Sequence, residues 1–262
     1  MSKELIVKIS LAIPSTINHF RTIEPIINFY LEGATIPDEI IISVSNGVAL
    51  SEEEVKKIKS LNTEIDIKVL LAEHILTHGP NRQNASNHCS GDIIIYGDAD
   101  DIPHPQRIEC IKYCFQKTDA VHVNHWWCPE HCQFANFDLD DVKIILSKEI
   151  NDKMIEPHKN LGYPPPGVPP RGGYGGLFGR VTGGNTAIRR EVLKDIRWKD
   201  WDELQGAPAE DWLFCYETAV RYRKSVILPI DLIKYISPSA LGLWNNPHLP
   251  GGPGNIKSIG IL

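Results

Sequence analysis

The sequence predicts an α/β protein in which helices flank a mostly parallel central sheet. Segments with strand and helix patterns alternate through the first half of the chain, and such alternation is typical of parallel strands joined by right-handed crossovers. The apolar run between Gly91 and Gly97 is typical of a central strand that is buried on both faces. Asp98, Asp100 and Asp101 follow this strand directly, and ligands of open α/β sheets bind at the carboxyl ends of the strands.

Each strand is predicted from a short apolar or alternating run that turn residues bound. The runs cover residues 5–12, 39–44, 65–71, 93–96, 120–126 and 225–228. The first strand is expected to end at Pro14.

Apolar residues at helical spacing predict the helices. The helices run from Phe20 to Tyr30, from Ser51 through Ile58, over residues 81–87, from Pro105 through Phe115 and from Pro208 through Val220. Glu54, three residues after Ser51, predicts a capping box. Residues 181–190 predict a glycine turn, a short strand and the start of a helix.

Two stretches are rich in proline and glycine. Residues 157–184 are predicted to form a long loop that serves as a functional flap, and a plain linker is the alternative. The C-terminal stretch 236–262 is expected to wrap over the surface.

Composition restricts the partners and the compartment. The 262 residues suffice for a single large domain, and the net charge of −6 argues against a nucleic-acid partner, which requires clustered Lys and Arg. No apolar run approaches the ~20 residues that span a bilayer, and no N-terminal signal pattern is found, so a cytoplasmic protein without a transmembrane segment is expected. The six scattered cysteines are expected to be buried thiols.

The acids after the central strand predict a cation site. Carboxylates this close repel one another, and a divalent cation or a bound proton relieves the repulsion. Hard oxygen ligands favour Mg²⁺ or Mn²⁺ over zinc. A solvated acidic turn is the alternative. A second cluster, in which core packing is the expected role and a structural zinc the alternative, consists of Cys110, Cys114, His122, His125, Cys128, His131 and Cys132.

Several motifs together resemble those of the GT-A fold glycosyltransferases, closest to family 2. They are Ile13-Pro14-Ser15 at the end of the first strand, Arg82 and Asn84 before the central strand, Asp98-Ala99-Asp100-Asp101 at the place of the family's DxD element, and Gly183-Gly184-Asn185 followed by Glu210-Asp211. The resemblance covers roughly residues 5–235. It implies a Rossmann-like nucleotide-diphospho-sugar transferase fold.

The resemblance also implies a reaction. It is the metal-dependent transfer of a sugar, with inversion, from a nucleotide sugar to a hydroxyl group of a glycan, lipid-linked or protein acceptor. The donor is expected to be a UDP-sugar, with a GDP-sugar as the alternative, and the cofactor Mn²⁺ or Mg²⁺. Within a single domain, 1–262, residues 1–126 would form the half that binds the nucleotide sugar and residues 127–235 the acceptor half.

The residues that match the family's motifs are expected to have the roles that these motifs have in the family. Asp100 is the expected direct metal ligand, Asp98 reaches the ribose or the metal through water, and His248 in the C-terminal stretch completes the metal shell. Asp211 is the candidate base, and Glu210 binds substrate hydroxyls or is the alternative base. The expected donor contacts are Pro14, Ser15, Asn46, Arg82, Asp98 and Ala99. The expected acceptor contacts are Gly184, Asn185 and Trp212.

One position departs from the family pattern. The second strand of family members commonly ends in paired aspartates that contact the nucleobase, whereas Ser45-Asn46-Gly47 stands here. Asn46 can hydrogen-bond a base, but the departure leaves the identity of the base open. Two other functions remain alternatives: a binding module of the same fold without turnover, and a phosphohydrolase of the haloacid dehalogenase type.

Overall fold

The computed structural model describes residues 7–147, 183–204 and 209–236. These residues form an eight-stranded mixed sheet with the spatial order β3-β2-β1-β4-β7-β6-β8-β5. The strands are β1 (Ile9–Thr16), β2 (Glu39–Ser45), β3 (Asp66–Leu71), β4 (Ile93–Tyr96), β5 (Ile102–Pro103), β6 (His122–Pro129), β7 (Thr186–Arg189) and β8 (Ser225–Tyr235).

Helices pack on the sheet. They are α1 (Phe20–Leu31), α2 (Glu52–Lys59), α3 (His78–Asn87), α4 (Arg107–Lys117), α5 (Leu139–Ile145) and α6 (Glu210–Tyr222). The predicted capping box before α2 is confirmed, because Ser51 accepts from the Glu54 backbone N–H and the Glu54 side chain accepts from the Ser51 N–H. Among the described residues, no helix combines the length and the apolar character that crossing a bilayer requires.

The first half of the sheet is parallel, as predicted. Strand β1 pairs with β2 on one side and with β4 on the other, and β2 pairs with β3, all in parallel. Strand β7 lies between β4 and β6 and runs antiparallel to both. The start of β7 therefore lies at the sheet edge where β1 and β4 end.

The core lies on both faces of the central strands. Ile93 and Ile95 of β4 belong to the larger apolar cluster, whereas Ile94 and Tyr96 belong to the cluster on the opposite face. All four residues are fully buried. This confirms the prediction that the run between Gly91 and Gly97 is a strand covered on both sides.

Two strands extend through prolines where the sequence predicts an end. Strand β4 pairs with β1 only as far as Ala12, so Pro14 lies where β1 has β2 as its only neighbour. Strand β8 continues past Pro229 because the register with β6 jumps from Leu228 to Asp231, which leaves the proline unpaired in a bulge. At both places the missing proline N–H therefore breaks no hydrogen bond between strands.

Other differences concern short elements and helix ends. Helix α3 begins at His78, three residues before its predicted start, and β6 extends to Pro129. Strand β5 and helix α5 are not predicted, because two residues and seven residues carry too little periodicity. The predicted flap lies outside the described residues except for Gly183 and Gly184, and so does the C-terminal stretch beyond residue 236.

Most of the cysteine and histidine cluster takes part in packing, whereas His131 is exposed and Cys132 is half-buried rather than buried as predicted. Cys110 and Cys114 lie in the apolar core beneath α4. His122 is hydrogen-bonded to Ser225, and His125 to a buried arginine of α4. Within the described ranges no group of three or more His, Cys, Asp or Glu side chains is arranged to hold one ion.

Candidate functional site

The candidate site lies at the carboxyl-terminal ends of the parallel strands. Because β1, β2 and β4 are parallel, all three end on the same side of the sheet. Thr16 is in register with Ser45, whereas β4 ends earlier, with Tyr96 in register with Ala12. The turn at Gly183–Asn185 leads into β7 at the same edge. Helix α6 contributes Glu210 and Asp211 from its first turn.

Arg82 joins the two acidic motifs that the sequence predicts for the site. Its Nη2 donates to Asp98 Oδ1 at 2.9 Å, and its Nη1 donates to Glu210 Oε1 at 2.6 Å. Burial alone would lower the pKa of the Arg82 guanidinium, but the carboxylates of Asp98, Glu210 and Asp211 more than offset this and raise it. Asp98 and Glu210, which are 112 positions apart in the chain, are thus held by one permanent cation, the Arg82 guanidinium.

The Gly183–Asn185 turn packs directly against this cation and its partner. A Cβ atom on Gly183 would lie 2.7 Å from Arg82 Cζ, and one on Gly184 would lie 2.8 Å from Asp98 Cγ. Only glycine fits at these two positions without moving the ion pair. Asn185 is fully buried and donates from Nδ2 to the backbone carbonyl of His125 at 3.0 Å.

Asp211 lies beside the ion pair without joining it. Its Oδ2 accepts from the Gly183 N–H at 2.9 Å and its Oδ1 from the Trp212 N–H at 2.6 Å. Burial and the charge of Glu210 raise the pKa of the Asp211 carboxyl, against the opposing effect of Arg82. A carboxylate with a raised pKa is a stronger base than an ordinary one.

The acids after β4 differ in their surroundings. Asp100 is partly exposed, with Oδ2 at 3.7 Å from His19 Nε2. Burial and the charge of Asp98 raise the pKa of Asp100 to about 7. Asp101 is 4% exposed and accepts from the Ile236 N–H at 3.2 Å, so it connects this loop to the end of β8.

These carboxylates fit a hard divalent cation. Mg²⁺ is commonly bound through one or two carboxylates, with water and substrate phosphates as the other ligands. Asp98 and Asp100 provide oxygen donors directly after β4, and burial together with the charge of Asp98 raises the pKa of Asp100. The described residues contain no third side chain arranged to share the ion, and His248 lies outside them.

The ends of β1 and β2 form the other side of the site. Ser15 is buried, and its carbonyl accepts from Asn81 Nδ2 at 2.7 Å. The buried Oδ1 of Asn81 has no partner among the described residues. Ser45 Oγ bonds to both the N–H and the carbonyl of Leu76, whereas Asn46 has a left-handed backbone, φ 54°, and an exposed side chain.

Aromatic rings support the site from two sides. The Arg82 guanidinium lies 5.2 Å from the ring of Trp198, which stacks on Phe214 at 4.0 Å. Trp212 is half-buried and stacks on Tyr216 at 5.0 Å with the rings 7° from parallel. The Trp212 ring is therefore packed against Tyr216 in the turn that also carries Asp211.

Two residues that the sequence analysis missed hold the loop after β4. The buried hydroxyl of Thr22 is 2.6 Å from the carbonyl of His19 and 2.5 Å from the carbonyl of Ala99, so it connects the start of α1 to the acidic loop. Arg107, the first residue of α4, is 1% exposed and hydrogen-bonds to Tyr96 and Gly184. The sequence does contain a clue to Arg107. The helix dipole disfavours a cation in the first turn of a helix, so an arginine at that position indicates a specific role.

Comparison with known proteins gives a family match. The model of the family described as Glycosyl transferase family 2 matches residues 11–197. The match includes Arg82, the acids after β4 and the Gly183–Asn185 turn. It ends before Glu210 and Asp211.

Three relatives illustrate the likeness. UDP-Gal:alpha-D-GlcNAc-diphosphoundecaprenol beta-1,3-galactosyltransferase of Escherichia coli is 30% identical over 124 residues, which are 47% of this chain and 43% of that protein. S. aureus TarS 1-349 in complex with UDP has a TM-score of 0.59 at 15% identity, over 88% of this chain and 61% of that chain. Glucosyl-3-phosphoglycerate synthase from Mycobacterium tuberculosis, in complex with Mn²⁺, UDP and glucosyl-3-phosphoglycerate, has a TM-score of 0.52 at 15% identity, over 88% of this chain and 72% of that chain. The chain spans less than half the length of the E. coli relative.

Proposed function

The chain belongs to glycosyl transferase family 2, and from this premise we propose that it transfers a sugar, with inversion, from a nucleoside diphosphate to a hydroxyl group of an acceptor. The GT-A fold that the sequence predicts is confirmed by the mixed sheet and by the likeness to solved structures of that fold. The observation that carries the proposal is the Asp98–Arg82–Glu210 bridge, with Asp211 beside it.

The proposed donor is a UDP-sugar. The E. coli relative is named for UDP-Gal, and the two structural relatives bind UDP in their crystals. Pro14, Ser15 and Asn46 lie at the ends of β1 and β2, where the nucleoside would bind. Because Asn46 replaces the aspartate of the family pattern, a GDP-sugar is the alternative that a donor panel must include.

Mn²⁺ or Mg²⁺ is the proposed cofactor, held by Asp100 directly and by Asp98 directly or through water. When bound, the cation neutralises charge on the leaving diphosphate. Arg82 holds Asp98 in place by a charged hydrogen bond, and Thr22 holds the backbone of Ala99. Both contacts fix the acids before any substrate arrives.

Asp211 is the proposed base that takes the proton from the acceptor hydroxyl. Glu210 is committed to Arg82 at 2.6 Å, so its charge is already compensated, and its role is to position the guanidinium. The Asp211 carboxylate accepts hydrogen bonds from the backbone N–H groups of Gly183 and Trp212, and its raised pKa favours proton uptake. Attack from the face opposite the diphosphate inverts the anomeric centre.

The acceptor would bind beside Gly184, Asn185 and Trp212. The flat ring of Trp212 can stack on a sugar, as aromatic faces do. The E. coli relative is named for a lipid-linked acceptor, which makes a polyprenyl diphosphate sugar the first acceptor to test, before free glycans and protein hydroxyls. In this proposal residues 1–126 serve the donor and residues 127–235 the acceptor within one domain, 1–262.

The deciding experiment measures nucleoside diphosphate release. Wild-type protein is incubated with UDP- and GDP-sugars, Mn²⁺ and an acceptor panel, alongside Asp211→Asn and the control Asp195→Asn. Asp195 is a surface residue that pairs with Arg221 and Tyr222, so its variant should retain wild-type turnover. Asp211→Asn should lower kcat about 10³-fold while nucleotide binding is kept.

Two results would decide against the proposal. Nucleotide binding without any turnover in the wild-type protein would favour the binding module. Unchanged turnover in Asp211→Asn would remove this residue from its role as base. The dehalogenase alternative is disfavoured, since Asp98 follows the fourth strand of a family 2 chain rather than a first strand.

A further inference from the structure

Arg107 carries a charge that its position makes costly. It is the first residue of α4, where the helix dipole opposes a cation, and it is 1% exposed. Burying an uncompensated charge costs several kcal/mol. Such a residue is retained only if its contacts offset this cost.

The contacts of Arg107 are made by neutral groups. Nη2 donates to the carbonyl of Tyr96 at 2.5 Å and to the carbonyl of Gly184 at 2.6 Å. Nη1 donates to the hydroxyl of Tyr30, and the guanidinium lies 5.8 Å from the Tyr30 ring. Nε donates to His125 Nε2 at 2.9 Å. Within the described ranges Arg107 forms no direct ion pair. The buried Asp101 carboxylate interacts with it electrostatically, but the hydrogen bonds that fix the guanidinium all come from neutral groups.

The carbonyls that share Nη2 belong to the two turns of the site. Tyr96 ends β4 and is followed by Gly97 and Asp98, while Gly184 packs against Asp98. One nitrogen atom is therefore bonded both to the strand end that leads into the acidic loop and to the Gly183–Asn185 turn.

A second connection to the same turn passes through His125. Since the Nε of an arginine can only donate, His125 Nε2 must accept, so the proton is on Nδ1 and is donated to the carbonyl of Trp126 at 2.8 Å. Burial and the charge of Arg107 hold the pKa of the imidazole well below its usual range, which keeps it neutral. The carbonyl of His125 in turn accepts from Asn185.

We propose that Arg107 is a positioning residue that holds the acidic loop and the Gly183–Asn185 turn at the separation that sugar transfer requires. This inference depends on the proposed function, because it assigns the two turns to donor and acceptor. Lysine cannot replace Arg107, since a single ammonium group cannot reach both carbonyls, the tyrosine hydroxyl and the imidazole from one place.

The test compares Arg107→Lys with Arg189→Lys. Arg189 is a matched control because it also donates to two backbone carbonyls, those of Ala120 and Phe115, and lies over the Phe115 ring at the far end of β7. The measured quantities are kcat, KM, the Kd of UDP, the melting temperature and the ratio of donor hydrolysis to transfer.

A positioning role predicts a specific pattern. Arg107→Lys should lose about 100-fold in kcat, with the Kd of UDP changed less than about threefold, because misplacement by about 1 Å costs that much in rate. Its ratio of hydrolysis to transfer should rise, since water needs less exact placement than an acceptor. Arg189→Lys should lose stability while keeping kcat and the ratio.

The outcomes separate this inference from the proposed function. Equal losses of kcat in the two variants, or an unchanged ratio in Arg107→Lys, would overturn the positioning role. A wild-type protein without turnover would overturn the proposed function and this role with it. If Arg107→Lys does not fold, His125→Leu decides, because it removes the Nε contact that orients the Arg107 guanidinium toward the two carbonyls. A raised ratio of hydrolysis to transfer supports the role, and an unchanged ratio refutes it.

Discussion

Replacing Arg82 with leucine should destabilise the protein through the carboxylates that Arg82 pairs. The Arg82 and Glu210 side chains are each 8% exposed, and their ion pair and the Asp98 ion pair measure 2.6 and 2.9 Å. Removing one partner of a buried pair leaves an uncompensated charge and costs about 3–5 kcal/mol. At roughly 2–4 °C for each kcal/mol, the melting temperature should fall by roughly 10 °C.

Urea and thermal unfolding can measure this loss against a surface control. Arg221 pairs with Asp195 at 2.7 Å, but the two side chains are 54% and 36% exposed, so Arg221→Leu should lose less than about 1 kcal/mol. Adding Glu210→Gln to Arg82→Leu removes one uncompensated charge and should restore about 1–3 kcal/mol. Equal losses in the two single variants, or a double variant less stable than Arg82→Leu, would refute this reasoning.

Three further predictions concern stability, the turn and the cation. Hydrogen bonds from Ser10 and Ser90 overcome the effect of burial and lower the pKa of Glu39 from 4.5 to about 2. The Glu39 carboxylate should therefore contribute about 3 kcal/mol to the free energy of unfolding at neutral pH. This contribution should disappear as the pH falls from about 4.5 to 2. Urea unfolding should therefore show a deficit in Glu39→Gln at pH 7 that shrinks at pH 3; a constant deficit contradicts the assignment. Gly184→Ala should lower kcat roughly 10- to 100-fold by displacing the Asp98 carboxylate, and steady-state kinetics with wild-type values would contradict the close packing. Chelation should abolish nucleoside diphosphate release, Mn²⁺ or Mg²⁺ should restore it, and Asp100→Asn should raise the cation concentration for half-maximal rate at least about tenfold; activity in chelator would contradict the metal role.

The parallel half of the sheet could be predicted because burial on both faces requires continuous apolar runs, and Ile93–Tyr96 is such a run. The extents of β1 and β8 could not. Pro14 and Pro229 look like strand ends in the sequence, but each lies where no neighbouring strand needs its N–H. That depends on where the partner strand stops, which is a property of the assembled sheet.

The acids of the candidate site were predicted from their positions, but the way they are joined was not. Acidic pairs at a strand end and at a helix start are visible in the sequence, and so is Arg82. Nothing local indicates that one arginine pairs with both Asp98 and Glu210, or that Arg107 connects Tyr96 to Gly184. These contacts join distant segments, so only the folded chain reveals them.

The reversed direction of β7 has a practical consequence for engineering. Its first residues are held in register by β4 on one side and β6 on the other, so the chain re-enters the sheet at a fixed point. A chimaera that exchanges residues 148–182 for the corresponding stretch of another family member would rejoin the recipient at this fixed point. Under the proposed division into a donor half and an acceptor half, such an exchange tests whether acceptor preference follows this stretch.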